Sequence, residues 1–277
     1  MPPNDEAAVE VSARDFSYQS GPSGPASRRA VVVETPINML YGGVGFAVMM
    51  GTPEDFEDFA YGFSFTEGII ARADEIRAVE ISRVTGGYKL DIAVTGERLA
   101  AHLSRARALS GRTGCGLCGI DDLAHLPRPP RVASRTEIAP QAIKAALRAL
   151  DDAQKLNAAT HAAHGAAWCD RNGAIVALRE DVGRHNALDK TIGALLRRGV
   201  SPEDGFFVIT SRCSFEMVAK AARFGASTLV AVSAPTSLAL ERAASFGLTL
   251  VALARADHAT VFAAEQTVRS PDGGLAA

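Results

Sequence analysis

The sequence predicts a mixed α/β and α+β fold, with a small N-terminal α+β module followed by an α/β domain. Three observations point there. The 277 residues are enough for about two domains around a sizeable apolar core. Before residue 110, paired β-branched runs alternate with single helical patterns. Beyond residue 135, strand and helix patterns alternate regularly, which calls for right-handed crossovers and a largely parallel sheet covered by helices.

Residues 1–29, with "SYQSGPSGPASRR", are rich in Ser, Gly and Pro and lack apolar periodicity, so they read as a mobile leader. The α+β module spans 30–110. Its "VVVETP" and "GVGFAVMM" read as strands around the turn residues Asn38, Gly42 and Gly43. Thr52-Pro53-Glu54-Asp55 reads as a capped helix start, with the helix running to about Glu67. "EIRAVEISRV" and "YKLDIAV", split by Gly86 and Gly87, predict a hairpin, and a helix is expected over 97–109. Residues 111–135 hold a Cys-x-x-Cys loop and the linker "LPRPPRVASR", whose prolines break regular structure.

The α/β domain occupies 136–277. Helices are expected at 140–155, 181–197, 213–224 and 236–246. Strands are expected near 165–169 and 174–179 and at 206–210, 228–232 and 248–254. Val182, Leu188, Ile192, Leu195 and Leu196 would share one helical face, leaving Arg184, His185 and Asp189 for another, with His185 and Asp189 one turn apart and able to pair.

Composition narrows the function. Hydrophobic residues at 47%, charged residues at 22% and a formal net charge of -2 fit a globular protein with no basic block to draw in nucleic acid or an anionic membrane. No run is long and apolar enough to span a bilayer, and Asp5 and Glu6 stand where a signal peptide would carry basic residues, so the cytoplasm is expected. There Cys115, Cys118, Cys169 and Cys213 should be reduced, and a close pair reads as metal-binding or reactive.

That pair lies in "GRTGCGLCG". A Cys-x-x-Cys can be half of a zinc site, a dithiol redox centre, or a nucleophile with a neighbour. Zinc would need two further ligands, and Cys169 and Cys213 stand singly in apparent core elements. Gly114, Gly116 and Gly119 provide backbone freedom instead of a burying side chain. A thiol that collects a group from one macromolecule and delivers it to a second site needs such freedom, and a persulfide is a reversible cysteine state suited to that task.

Two later motifs point to a phosphate-bearing ligand. "VITSRCSFEMV" places Ser211 and Arg212 between a strand and a helix N-terminus, and "VAVSAPTSLAL" places Ser233 and Thr236 in the same arrangement. Each hydroxyl could equally be a simple helix cap. His164 precedes the small Gly165, Ala166 and Ala167, which would let a bulky ligand approach, although a core histidine fits as well.

These motifs, with "THAAHGAAW" and "EDVGRHNALDK", resemble the formate dehydrogenase accessory sulfurtransferases, the FdhD family, over everything after the leader. The resemblance implies a cytidine-deaminase-like second domain. The His-x-Glu and Pro-Cys-x-x-Cys pattern of deaminase zinc is missing from 160–277, so the fold is expected without the metal. It implies a sulfur carrier, with Cys115 bearing the persulfide and Cys118 as second thiol. Sulfur would pass from a cysteine desulfurase to the molybdenum bis(molybdopterin guanine dinucleotide) cofactor, bound as substrate, for formate dehydrogenase. A guanine nucleotide is expected to mimic that substrate. The implied binding loop matches Leu253, Ala254, Arg255, Ala256, Asp257 and His258, where a glycine-bearing basic loop would be expected and Asp257 adds a negative charge. A homodimer is also implied. The alternatives are a chaperone that inserts the cofactor without transferring sulfur, and a zinc-stabilised domain of unrelated activity.

Overall fold

The structure is a computed structural model in which residues 6–100, 129–133 and 135–262 are described. The Cys115–Cys118 loop and most of the helix expected at 97–109 lie outside the described residues; Gly96–Ala100 are helical.

The chain opens with an antiparallel ribbon of β1 (Ala8–Ser17) and β2 (Gly21–Val32), with a register shift between Ala13 and Asp15. Most of the stretch expected as a mobile leader, residues 8–17 and 21–29, is thus paired strand. Proline is tolerated in a strand only where its missing N–H faces no partner, and each strand of a two-stranded ribbon has such an edge. Pro25 can therefore sit in β2 without breaking it.

β3 (Thr35–Tyr41), β4 (Val44–Gly51), β5 (Ile76–Val84) and β6 (Gly87–Val94) form a sheet in the order β4-β3-β6-β5. The β5-β6 hairpin and β4 agree with the sequence pattern, but "VVVETP" is divided between the end of β2 and the start of β3, and Asn38, expected in a turn, lies mid-strand opposite Val48; β3 and β6 run parallel. Helix α1 (Phe56–Thr66) starts later than its cap signature implied. Asp55 precedes it in a left-handed conformation, and Thr52 is committed to contacts far along the chain. The helix nevertheless ends where expected.

In the second half, α2 (Pro140–Ala153) and α3 (Lys155–Thr160) precede β7 (His164–Asp170) and β8 (Ile175–Asp181). Then follow α4 (Arg184–Arg197), β9 (Gly205–Ile209), α5 (Phe215–Phe224), β10 (Thr228–Ala231), α6 (Ser237–Phe246), β11 (Thr249–Ala252) and β12 (Thr260–Val261). The six-stranded sheet has the order β12-β11-β10-β9-β7-β8. β9, β10 and β11 are parallel, whereas β7 is antiparallel to both neighbours and β12 is antiparallel to β11. The sheet is thus more mixed than the expected, largely parallel one. The hairpin connection between β7 and β8 is too short to cross over, which forces the reversal.

Strand alternation divides the core into two layers. Trp168, Phe207, Ile209, Leu229 and Leu250 point to one face, and Cys169, Phe206, Val208, Val230 and Val251 to the other. The second face is covered by Ile143, Leu147 and Leu150 of α2. The first joins the buried residues of α1, α4, α5 and the four-stranded sheet in one continuous core. Trp168, Phe207 and Phe224 pack edge-on at its centre, with ring centroids 4.7, 5.3 and 5.5 Å apart.

The two halves meet where α1 crosses α4, and the crossing depends on two glycines. A Cβ added to Gly62 would lie 1.7 Å from the Asp189 carbonyl oxygen, and one on Gly193 would lie 1.8 Å from that of Asp58. Backbone therefore touches backbone. Buried Asp58 fastens the same crossing: its carboxylate accepts from Arg179 Nε at 2.9 Å and Nη2 at 2.6 Å, and from Arg197 Nη1 at 2.6 Å.

Candidate functional site

One edge of the six-stranded sheet collects nearly all the polar residues singled out in the sequence. The parallel strands β9, β10 and β11 end there, the antiparallel β7 begins there, and β8 ends beside it, with His164 opposite Asp181. Helices α4, α5 and α6 all start from this edge, so their free amides and positive dipole ends gather in one place. In open α/β sheets this carboxyl edge is where ligands bind.

The loops along the edge are tied to one another. Gly165 N–H donates to Thr210 Oγ1 at 2.9 Å and Thr210 N–H to Gly165 O at 3.0 Å. Cys213 N–H donates to Ala234 O at 3.1 Å, and Thr236 N–H to Cys213 O at 3.0 Å. Leu253 N–H reaches Ser233 O at 3.2 Å. Motifs separated by up to 45 residues in sequence thus become a single surface.

The predicted binding residues lie along this edge, whereas Cys115 and Cys118 lie outside the described residues. Ser211 is buried and donates to the Arg212 carbonyl at 3.1 Å, while Arg212 is exposed. Thr236 caps α6 by accepting from Ala239 N–H at 3.2 Å, which satisfies the simple capping reading for that hydroxyl. Ser233 lies half-buried beside Leu253. Leu253 takes a left-handed φ of 53° although it is not glycine, and its side chain stays partly exposed. Arg255 turns back, donating to the carbonyls of Val232 and of Ala254, the latter at 2.9 Å, and its N–H donates to His258 O at 2.8 Å. Asp257 and His258 pair at 2.8 Å, and the imidazole contact holds the Asp257 carboxyl below its usual range.

His164 is half-buried at the start of β7. Burial, followed by the charge of Arg184, pushes its imidazole below the ordinary value, so it favours the neutral form. Arg184 and His185 open α4 next to it. The Nε of Arg184 is buried and finds no hydrogen-bond partner, while the buried Nε2 of His185 faces Glu216 at 3.5 Å without a hydrogen bond of normal geometry. Unpaired buried donors are costly, and at a sheet edge they suit an anion.

His185 does not pair with Asp189 as the helical spacing suggested. Its Nε2 lies 3.5 Å from Glu216 on α5, and Ser214 Oγ lies 2.7 Å from the same carboxylate. Burial alone would raise Glu216; the contacts with His185 and Ser214 and the charge of Arg184 instead bring it down to about 2. Asp189 turns the other way, to Lys220 Nζ at 2.8 Å and Thr66 Oγ1 at 2.8 Å. Burial opposes the Lys220 charge, but Asp189 and Glu67 outweigh it and raise the ammonium above its ordinary value. No local pattern signals Glu216 or Lys220 as partners, because both pairings cross from α4 to α5.

Cys169 and Cys213 are fully buried in opposite core layers, and burial pushes each thiol up to about 12. They behave as small core residues. Among the described residues no group of three His, Cys, Asp or Glu side chains could hold a metal ion, and no helix is long and apolar enough to cross a membrane.

Fold and site together define a mixed α/β protein whose central sheet has converging helix N-termini and the unpaired Arg184 Nε at one edge. The chain belongs to the FdhD/NarQ family, whose model matches residues 32–269. It is 48% identical over 229 residues to the sulfur carrier protein FdhD of Xanthomonas axonopodis pv. citri, covering 82% of this chain and 81% of that one. The sulfur carrier protein FdhD of Agrobacterium fabrum is 44% identical over 259 residues, covering 92% and 96%. A crystal structure from Desulfotalea psychrophila, assigned as a formate dehydrogenase accessory protein, superposes with a TM-score of 0.74 at 26% identity, covering 95% of this chain and all of that one.

Proposed function

We propose that this protein is a sulfurtransferase that carries sulfur as a persulfide on Cys115, assisted by Cys118, and delivers it to a molybdenum bis(molybdopterin guanine dinucleotide) substrate used by formate dehydrogenase. The observation that carries this reading is the "GRTGCGLCG" motif, within the matched family region of a chain 48% identical to a protein named as a sulfur carrier. In the loading step the Cys115 thiolate attacks the terminal sulfur of a cysteine desulfurase persulfide. A new S–S bond forms at Cys115, the donor's S–S bond breaks, and the donor cysteine leaves as thiolate.

The sheet edge supplies the acceptor's place. Arg184 Nε offers a buried, unpaired donor to a phosphate, and the starts of α4, α5 and α6 add backbone dipoles. His164, Ser211, Arg212, Ser233, Thr236 and the loop Leu253–His258 surround the nucleotide portion, for which a guanine nucleotide stands in. In this reading the six-stranded sheet is the deaminase-like half and the four-stranded sheet with α1 the smaller module. The protein works in the cytoplasm as a homodimer, two equivalent sites suiting a substrate with two guanosine halves.

Mass spectrometry after incubation with a desulfurase and cysteine tests the sulfur half. Wild type should gain one sulfur on Cys115, and Cys115→Ala should gain none there and fail to activate formate dehydrogenase. Full activation by Cys115→Ala would refute sulfur transfer and leave the insertion-chaperone role.

A further inference from the structure

The loop after β4 reaches across to the start of α4 and spends every polar atom of one residue there. Thr52 N–H donates to Asp181 Oδ2 at 3.0 Å, the Thr52 hydroxyl accepts from Val182 N–H at 3.1 Å, and the Thr52 carbonyl accepts from Lys190 Nζ at 3.0 Å. Lys190 Nζ lies 2.7 Å from Asp181 Oδ2, and both side chains are fully buried. The other Asp181 oxygen accepts from Gly183 N–H at 2.7 Å and from Asn186 Nδ2 at 3.0 Å. Asn186 also donates to the Met50 carbonyl at 2.8 Å. There is no slack: a Cβ on Gly51 or on Gly183 would meet Asn186 Nδ2 at 2.9 Å.

A buried ion pair is weak evidence for stability, because desolvation offsets much of its attraction. Its value here is geometric. Asp181 ends β8, Val182 and Gly183 make the turn, and Arg184, with its unpaired Nε, and His185, which faces Glu216, follow at once on the proposed ligand edge. Whatever fixes Val182 and Gly183 fixes the direction of that donor. We propose that Thr52, Asp181 and Lys190 are positioning residues, through which the four-stranded half of the molecule sets the phosphate-facing turn of α4. The inference rests on the nucleotide reading of that edge. Thr52 itself belongs to the other sheet's connection and acts only through the turn.

Titration calorimetry with GDP on the full-length protein tests the inference, with the near-ultraviolet circular dichroism of Trp168 reporting the folded core. Thr52→Val keeps the shape, removes the acceptor of Val182 N–H, and should weaken GDP binding about tenfold in folded protein, since a support left slack displaces the groups it carries. Thr52→Ser restores the hydroxyl and should bind as wild type does. Should Thr52→Val fail to fold, Thr52→Ala makes the same deletion with less bulk and is read the same way. A folded hydroxyl-free variant that binds GDP as tightly as wild type overturns the positioning role while leaving the nucleotide reading intact. Wild-type protein that binds no GDP refutes the nucleotide reading, and the positioning role with it.

Discussion

Replacing Gly62 by alanine sets two known effects against each other. Alanine is the better helix former by about 1 kcal/mol in a helix interior, so an isolated α1 would gain stability. At the α1–α4 crossing, however, the new carbon would sit 1.7 Å from the Asp189 carbonyl oxygen, a helix backbone atom that cannot rotate away. Relaxed C···O contacts need roughly 3.3 Å, so the helices must part locally by about 1.6 Å. That separation loosens the packing of Phe59 and Phe63 against Leu188 and Ile192, all buried in the shared core. Overpacking of this kind costs about 1–3 kcal/mol and more where backbone must move, so a net loss of about 3 kcal/mol remains after the helix gain. At about 2–4 °C per kcal/mol for a chain of this size, Gly62→Ala should melt about 6–12 °C below wild type in calorimetry. Gly193→Ala should behave alike, and the double variant should lose less than the two losses added together, because one separation accommodates both carbons. Gly45→Ala, with nothing within 4 Å of its added carbon, is the control. A Gly62→Ala protein melting at or above wild type would refute the close crossing and show that helix propensity governs.

Two further outcomes follow from the charged groups. Glu216 sits at about 2 in the folded protein against an ordinary value of 4.5, so it contributes stability above the unfolded value that is lost as pH falls through the folded one. Glu216→Gln should therefore flatten the loss of urea resistance between about pH 4.5 and pH 2, and an unchanged acid limb would contradict the His185 and Ser214 contacts. Asp58→Ala leaves Arg179 and Arg197 facing a buried gap at the helix crossing and should cost about 3 kcal/mol in urea unfolding. Glu57→Ala, which removes the exposed partner of Arg197, should cost under about 1 kcal/mol; equal losses at the two positions would show that burial does not decide the matter.

The parts of this fold that were legible in the sequence are those fixed by local chemistry. "FFVI", "TLVA" and "TLVA" are short apolar runs bounded by turns, and the first two lead into hydroxyl-bearing helix starts, so β9, β10 and β11 and helices α5 and α6 could be read almost residue by residue. The errors fall where a distant group claims a local signal. Thr52-Pro53 has the letters of a helix cap, yet Thr52 is spent on Asp181, Val182 and Lys190, and α1 waits until Phe56. Val182 fits the apolar spacing of α4, but Asp181 ends a strand and the helix cannot begin before Arg184. His185 and Asp189 share a helical face by spacing, and α5 separates them by offering Glu216 to one and Lys220 to the other. In each case the competing partner lies between 30 and 140 residues away, and no window of sequence contains both. These misread positions are not scattered. Thr52, Asp181, Val182, Arg184 and His185 form one connected path from the four-stranded sheet to the carboxyl edge of the six-stranded one, and a local rule fails along it because a residue from the other half of the chain claims the local polar groups.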